Sequence, residues 1–459
     1  MSIRAFIPNI ILTIIISGSI LFLLTTTTTI TTAYTLVHSN NNDKYGGQSG
    51  QFNSEMCNNW TLNTLSHGLN IPLTNYSNIY QYIPKISIII ISHNENALIL
   101  QNTLESILNS TTYLILNSNI LEIILIDDYS DPPIDDYITT MSKLIRILRN
   151  PERMGLIKSR MNGARNASGD ILVFLDAHVE TLDHWLEPLV VQLINLRQQS
   201  RNQHYRHHQN EQFEGSSEEE QDQGITKPLY GATHFIVSPV IISSSNTMDY
   251  NNIEDNFYVG GFSWDLIFRW HHAYNDSKLQ PSIDPYHLIR PRQTPALAGG
   301  IYAVWRDDFF HYGGYDEQMS IWGGENIELS LRTWMCHGQI EIVPCSRVGH
   351  LFRDKHPYTF PAGKEFTILR NHKRTVLVWF LHDTNSTLAQ EYLAYFYTAS
   401  PEARVIPAGD IKSRKQIANS LKCHDFTWYL KNIYPLLKQE AENIQISDDA
   451  YYLTAFEDL

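Results

Sequence analysis

Cysteine is scarce in this chain. Its 459 residues hold four, Cys57, Cys336, Cys345 and Cys423, with no CxxC pair and no Cys/His zinc spacing. That disfavours structural zinc and leaves an even set suited to two disulfides in an oxidising compartment. Basic charge is also short, with 34 Lys and Arg against 48 Asp and Glu, a net −14. A protein that tracks nucleic-acid phosphates shows the opposite balance, so no nucleic-acid partner is expected. An anionic small ligand stays admissible, but only where Arg, His or a metal is arranged against the overall field. Apolar material is not lacking. The 43% hydrophobic content supports a sizeable core and argues against wholesale disorder.

Ala5 to Leu24 is a run of twenty uncharged, mostly apolar residues with Arg4 just ahead of it. Its length matches a helix crossing the ~30 Å hydrocarbon core. The very short positive tail favours a cytosolic N-terminus with the remainder translocated. A cleaved signal peptide, with a poor cleavage site at Thr31–Ala33, is the other reading, and in both the remainder is lumenal or extracellular. Sequons at Asn59, Asn75, Asn109, Asn166, Asn275 and Asn385 agree with that compartment.

The Thr25–Thr32 run and the polar stretch to about residue 80 cannot bury enough apolar surface to fold alone, and read as a stem. Periodicity starts at Lys85. Strands are expected at Ile86–Ile91, Leu121–Ile126, Leu144–Leu148, Ile171–Leu175 and Ile236–Ile242, with helices at Ala97–Leu108 and Leu156–Ala167. Short apolar strands alternating with helices specify an α/β protein with a Rossmann-like, mostly parallel sheet flanked by helices. Arg197–Gly224, rich in Gln, His, Asn and Glu, reads as a surface insertion without order, its His cluster being a weaker metal candidate. Phe366–Leu437 is amphipathic and mainly helical, and the last dozen residues form an acidic tail.

Chemistry gathers at strand ends. In Ile-Leu-Val-Phe-Leu-Asp176-Ala-His178, residues two apart face one side, so Asp176 and His178 can both look into the crevice beyond the strand. A carboxylate with an imidazole suits Mn²⁺, although Asp-x-His recurs at Asp354–His356. Asp128 ends the preceding strand, placed to accept hydrogen bonds from a nucleotide base or ribose, while Asp127 reads better as the cap of the following turn. His93 and Glu95 share a side by the same alternation. Gly299-Gly300 and Trp322-Gly-Gly-Glu325-Asn326 suit either turns around a packed Trp or a ligand site, since paired glycines admit close backbone approach and an indole can cover a sugar ring. His350, between apolar neighbours, reads by itself as a core histidine.

Several stretches, in order from Pro84 to Pro435, resemble the polypeptide N-acetylgalactosaminyltransferases, which initiate mucin-type O-glycosylation. They are His93-Asn-Glu95, Asp127-Asp128-Tyr-Ser, Gly155-Leu-Ile-Lys-Ser-Arg160, Phe174-Leu-Asp-Ala-His-Val-Glu180 and Gly260-Gly-Phe-Ser-Trp264 with Phe268-Arg-Trp270. Thr294–Gly300, Trp322–Asn326, Cys345–His350, Arg353 and His356–Phe360 complete the set. The resemblance implies a GT-A glycosyltransferase fold with an N-terminal transmembrane helix, a UDP-GalNAc donor, a Ser/Thr-containing protein acceptor and Mn²⁺. It implies Asp176, His178 and His350 as metal ligands, which reverses the core reading of His350. It further implies Asp128, Arg153, Arg353 and Tyr358 around the uridine and diphosphate, and Arg160, Gly300, Trp322, Glu325 and Asn326 around the sugar and acceptor. It implies disulfides Cys336–Cys423 and Cys57–Cys345, retention of anomeric configuration by a front-face route, and a single-pass Golgi membrane protein with a lumenal catalytic part.

On that basis the chain divides into tail and anchor (1–24), stem (25–80), nucleotide-sugar half (81–196), insertion (197–226), acceptor and metal half (227–360), helical part (361–445) and acidic tail (446–459). The family commonly carries a C-terminal ricin-type lectin domain. Here only about two dozen residues follow Pro435, without a Gln-x-Trp repeat, so glycopeptide-guided selectivity is not expected. The Ile-Asp-Val-type strand end of the family is here Ile241-Ile242-Ser243, which removes a carboxylate, and Val179 stands where Cys is common. A transferase of another sugar and a silent homologue serving as a binding protein are the competing readings; the intact Asp176, His178, His350 and Glu325 argue against the second.

Overall fold

The structure, a computed structural model, describes residues 54–69, 83–210, 231–244, 257–273, 288–353 and 358–446, apart from short gaps at 113–114, 116–119, 135–137, 139–140 and 385, together with 13–16 and 19–22. Residues 1–50 form a separate unit. Its described part is a two-stranded antiparallel hairpin of Thr13–Ile16 and Ser19–Phe22. Among the described residues no helix is long and apolar enough to cross a membrane. The helix expected over 5–24 thus appears as strand where it is described, and the rest of that stretch and most of the stem lie outside the described residues.

In the second unit, β1 (Ile86–Ser92), β2 (Leu121–Asp127), β3 (Ile145–Arg149) and β4 (Ile171–Asp176) are the four aliphatic runs expected. Around them come β5 (Val179–Thr181), β6 (His234–Ser243), β9 (Arg292–Gln293), β10 (Tyr302–Trp305) and β11 (Gly338–His350). A hairpin of β7 (Tyr258–Phe262) and β8 (Phe268–His272) stands apart. The nine-stranded sheet runs β9-β11-β6-β10-β4-β1-β2-β3, with β5 on β11. The expectation of a mostly parallel sheet needs correction. The block β4-β1-β2-β3 is parallel, as is β11 with β6, but β10 is antiparallel to both neighbours, and β9 and β5 are antiparallel to β11. The sheet is mixed because β10, only four residues long, enters against its flanking strands.

Both faces are covered, so alternate residues of one strand feed different cores. Ile89 and Ile91 join a core with α3 (Leu156–Asn166), α6 (Glu325–Met335) and the C-terminal helices, whereas Ile88 and Ile90 join one under α2 (Ala97–Ser110) and α4 (Leu186–Asn210). A Cβ on Gly163 would lie 2.4 Å from Ile89 Cγ2, so glycine there sets how closely α3 rides on β1. The helix α4 runs to Asn210, so the first part of the stretch expected to be disordered is helical, its Gln, Arg and Asn being compatible with an exposed helix; 211–230 lie outside the described residues. Cys57 on α1 (Ser54–Leu69) bonds Cys345 in the bulged middle of β11, and Cys336 after α6 bonds Cys423. Both are the pairs expected.

The C-terminal helices are fastened by charge as well as by apolar packing. α7 (Lys364–Thr375) continues through Val376–Phe380 and is followed by α8 (Ser386–Ala399), α9 (Lys412–Ser420), α10 (Phe426–Asn432) and α11 (Pro435–Ala441). Glu328 on α6 accepts from Arg332 (Nε 3.1 Å), Arg414 of α9 (Nη2 2.8 Å) and the Trp379 indole (3.0 Å), all buried. Burial by itself raises the Glu328 carboxyl, but the two guanidiniums outweigh it and hold it down at about 2. Its ordinary value is near 4.5, so the stability it contributes is complete above pH 4.5 and is lost as pH falls towards 2. Glu328→Gln is therefore expected to cost about 3–5 kcal/mol near neutral pH by leaving buried cations undercompensated. Denaturant titrations at stepped pH should also show a shallower acid loss in the variant than in the wild type.

Candidate active site

The carboxyl ends of β1, β2 and β4 open into a cleft of about 590 Å³, the place where a parallel block binds ligands. Asp176 ends β4 and His178 follows it before β5 begins. β5 pairs with β11 so that Val179 stands opposite His350, and Leu351 N donates to His178 O at 3.1 Å. This register brings His350 to Asp176 across 174 residues of sequence. Asp176, His178 and His350 each present a ligand atom within 4.8 Å of the others.

Their chemistry fits a divalent cation. His350 Nε2 and Asp176 Oδ2 lie 3.3 Å apart. Two ligands at right angles on an ion, each about 2.1 Å from it, stand about 3 Å apart. One carboxylate with two imidazoles matches Mn²⁺ better than Mg²⁺, which favours all-oxygen ligation.

Arg160, on α3 and fully buried, donates to Asp176 Oδ1 from Nη2 (2.9 Å) and to Glu325 Oε1 from Nη1 (3.4 Å). Burial works against the guanidinium's charge, but the rings and carboxylates around it prevail, so its pKa is raised. Burial likewise pushes the Asp176 carboxyl up; His350, Arg160 and His178 outweigh it and hold it well below the usual carboxylate range. Gly300 makes this bridge possible, because a Cβ there would sit 1.5 Å from Arg160 Nη2. Gly299 beside it faces open space.

Glu325 is the first residue of α6, where the helix dipole favours a carboxylate, and Gly323 N donates to its Oε2 at 2.8 Å. The turn before it needs glycine, since Gly324 has φ +84°. Trp322 lines the cleft. Asn326 also lines it, but its Nδ2 donates to Leu297 O (2.9 Å), tying α6 to the glycine loop.

On the opposite wall Asp128 accepts from Asn150 Nδ2 (2.8 Å), Met154 N (2.7 Å) and Gly155 N (2.8 Å). Three of its roughly four lone-pair positions are thus used within the protein, so most of its capacity goes to shaping the 150–155 loop. Asp127 accepts from Ser130 N (2.8 Å), the turn cap expected of it. Arg153 donates to Thr359, and Tyr358 lines the cleft with its hydroxyl pKa raised by burial and then by Glu325 and Asp176. Arg353 Nη2 donates to Glu95 Oε1 at 2.9 Å. Asp354 and His356 lie outside the described residues.

His93 and Glu95 both line the cleft, as expected, but not by strand alternation: β1 ends at Ser92 and Asn94 has φ +52°. His93 Nδ1 meets Asp128 O at 2.6 Å, whereas Glu95 turns to Arg353 and His178. Sequence reasoning also passed over Asn371 on α7. Its side chain holds Ser320 N, Ser320 O and Gly323 O at 2.9–3.0 Å and so clamps the loop that carries Trp322. No sequence signal marks it, because it lies inside an ordinary amphipathic helix.

Comparison with known proteins agrees with this geometry. The glycosyl transferase family 2 profile matches residues 87–238, and the profile described as the N-terminal domain of galactosyltransferase matches 280–357. Human polypeptide N-acetylgalactosaminyltransferase 14 is 39% identical over 363 residues, covering 79% of this chain and 56% of that protein. Human polypeptide N-acetylgalactosaminyltransferase 16 is 38% identical over 356 residues, covering 77% and 54%. The rat type 13 enzyme is 35% identical over 361 residues, covering 77% and 55%. The chain thus spans little more than half the length of these relatives. A crystal structure of GalNAc-T7 with UDP, GalNAc and Mn²⁺ superposes with a TM-score of 0.58 at 28% identity, covering 79% of this chain and 58% of that one. The fold is GT-A.

The glycine pair gives a direct check. Gly300→Ala should cost about 1–3 kcal/mol through overpacking against Arg160. Gly299→Ala, into open space, should leave the melting midpoint unchanged.

Proposed function

Because this chain belongs, over the region that aligns, to the polypeptide N-acetylgalactosaminyltransferase family, we propose that it transfers GalNAc from UDP-GalNAc to Ser or Thr hydroxyls of proteins. The observation that carries the reading is the cluster of Asp176, His178 and His350 meeting the Arg160–Glu325 bridge in one cleft. Metal donors lie at one end of that bridge and a carboxylate of the first turn of α6 at the other, which supports a diphosphate site beside a site for sugar hydroxyls.

In this reading Asp176, His178 and His350 hold Mn²⁺, which when bound offsets negative charge on the diphosphate. Arg153 and Arg353, and Tyr358 with its protonated hydroxyl, supply donors to phosphate oxygens. Asp128 and the loop it braces receive the uridine. Gly299 and Gly300 let backbone approach the sugar, Glu325 accepts from its hydroxyls, Trp322 covers it, and Asn326 keeps the loop in place. Arg160, donating to Asp176 and to Glu325, offsets the charge of both carboxylates and holds them at a fixed separation. Retention without an obvious carboxylate nucleophile favours a front-face route, with the leaving phosphate oxygen taking the acceptor proton. The apolar Ala5–Leu24 run supports a membrane anchor and, with two disulfides, a lumenal catalytic unit of the Golgi.

Purified residues 51–459 should glycosylate a Thr-rich peptide from UDP-GalNAc with Mn²⁺ and lose that activity on chelation. Use of UDP-Glc or UDP-Xyl in place of UDP-GalNAc would defeat the donor assignment. Asp176→Asn should lower turnover at least about 100-fold. Substantial turnover in that variant would remove Asp176 from the site.

A further inference from the structure

One buried carboxylate beside the metal ligands has no role in that chemistry. Glu95 is 9% exposed, anchored by Asn96 N donating to Oε1 at 2.9 Å. The same oxygen accepts from Arg353 Nη2 at 2.9 Å. Its other oxygen, Oε2, lies 3.3 Å from His178 Nδ1. Glu95 therefore touches a metal ligand through one oxygen and a cleft arginine through the other, from a loop held by its own backbone.

A metal-bound histidine must present a lone pair on one ring nitrogen, and its other nitrogen then carries the proton. With Nδ1 turned to a carboxylate, which only accepts, the proton belongs on Nδ1 and the lone pair on Nε2. Resting on the metal-site reading above, we propose that Glu95 is a positioning residue that fixes the ligating tautomer of His178 and aims Arg353 into the cleft. Glutamine in its place keeps the shape and, through its carbonyl, the Arg353 contact. It turns an amide N–H₂ towards His178 Nδ1, however, which favours the tautomer with the proton on Nε2, where it blocks the metal.

The test is Mn²⁺ affinity without nucleotide, read from the electron paramagnetic resonance signal of free Mn²⁺, in the 51–459 protein and its Glu95→Gln, Glu95→Asp and Asp176→Asn variants. Glu95→Gln should weaken Mn²⁺ binding about 10–100-fold while its melting curve stays cooperative. Glu95→Asp, one methylene too short to reach both partners, should weaken it as well, and serves if the Gln variant does not fold. Wild-type Mn²⁺ affinity in Glu95→Gln, with affinity lost in Asp176→Asn, overturns the positioning role and leaves the metal site standing. Affinity kept in Asp176→Asn overturns the metal site itself. For Arg353, UDP binding in chelator should weaken in Glu95→Ala, which removes the oxygen that accepts from Arg353, and not weaken further when that change is added to Arg353→Met. Additive losses overturn the aiming of Arg353.

Discussion

The buried bridge from Asp176 through Arg160 to Glu325 is the constraint on which the cleft depends. It joins the end of the parallel block to the first turn of α6, two parts of the sheet's surroundings that share no backbone hydrogen bonds with each other in that place. Removing Arg160 would strip Asp176 and Glu325 of the cation that donates to both. The surrounding details serve the guanidinium. Gly300 lacks a side chain where its tip lies, and Tyr315 presents a ring 5.8 Å from it.

The second constraint is register. His350 reaches the site because β5 pairs antiparallel with β11, opposite Val179, and a slip of one residue would turn it to the other face. The Cys57–Cys345 bond sits in the same strand, at the irregularity between Val343 and Arg347, where the ladder is weakest. A covalent tie at the bulge and a hydrogen-bonded tie at the strand end hold the same element from two sides.

Much of this was legible in the sequence. β1, β2 and β4 announced themselves as short aliphatic runs because both their faces are buried, whereas β3, at the sheet edge, is only partly buried. Asp176 and His178 followed from the alternation of a strand end. What was not legible depended on long-range pairing or on a local break in alternation. The direction of β10 is invisible in four apolar residues. His350 looked like core from its neighbours, and only the family resemblance pointed to it before the strand pairing placed it beside Asp176. His93 and Glu95 do share the cleft, but nothing in Ser-His-Asn-Glu announces the positive φ at Asn94 that replaces strand alternation there. The helix past Arg197 was hidden by a polar composition that suits an exposed helix and a loop equally.

The bond between Cys57 and Cys345 also sets an order of events during synthesis. Cys57 precedes every strand of the main sheet, and its partner follows 288 residues later. At about 5–20 residues per second that interval is roughly 15–60 s, during which the thiol waits. The first cysteine to emerge after it is Cys336, whose proper partner, Cys423, is the last of the four. Cys57 thus meets the wrong thiol before the right one, and β11 must already lie beside α1 to favour the right choice. Maturation of this chain consequently hangs on sheet assembly preceding oxidation, or on an isomerase that lets an early mistake be undone.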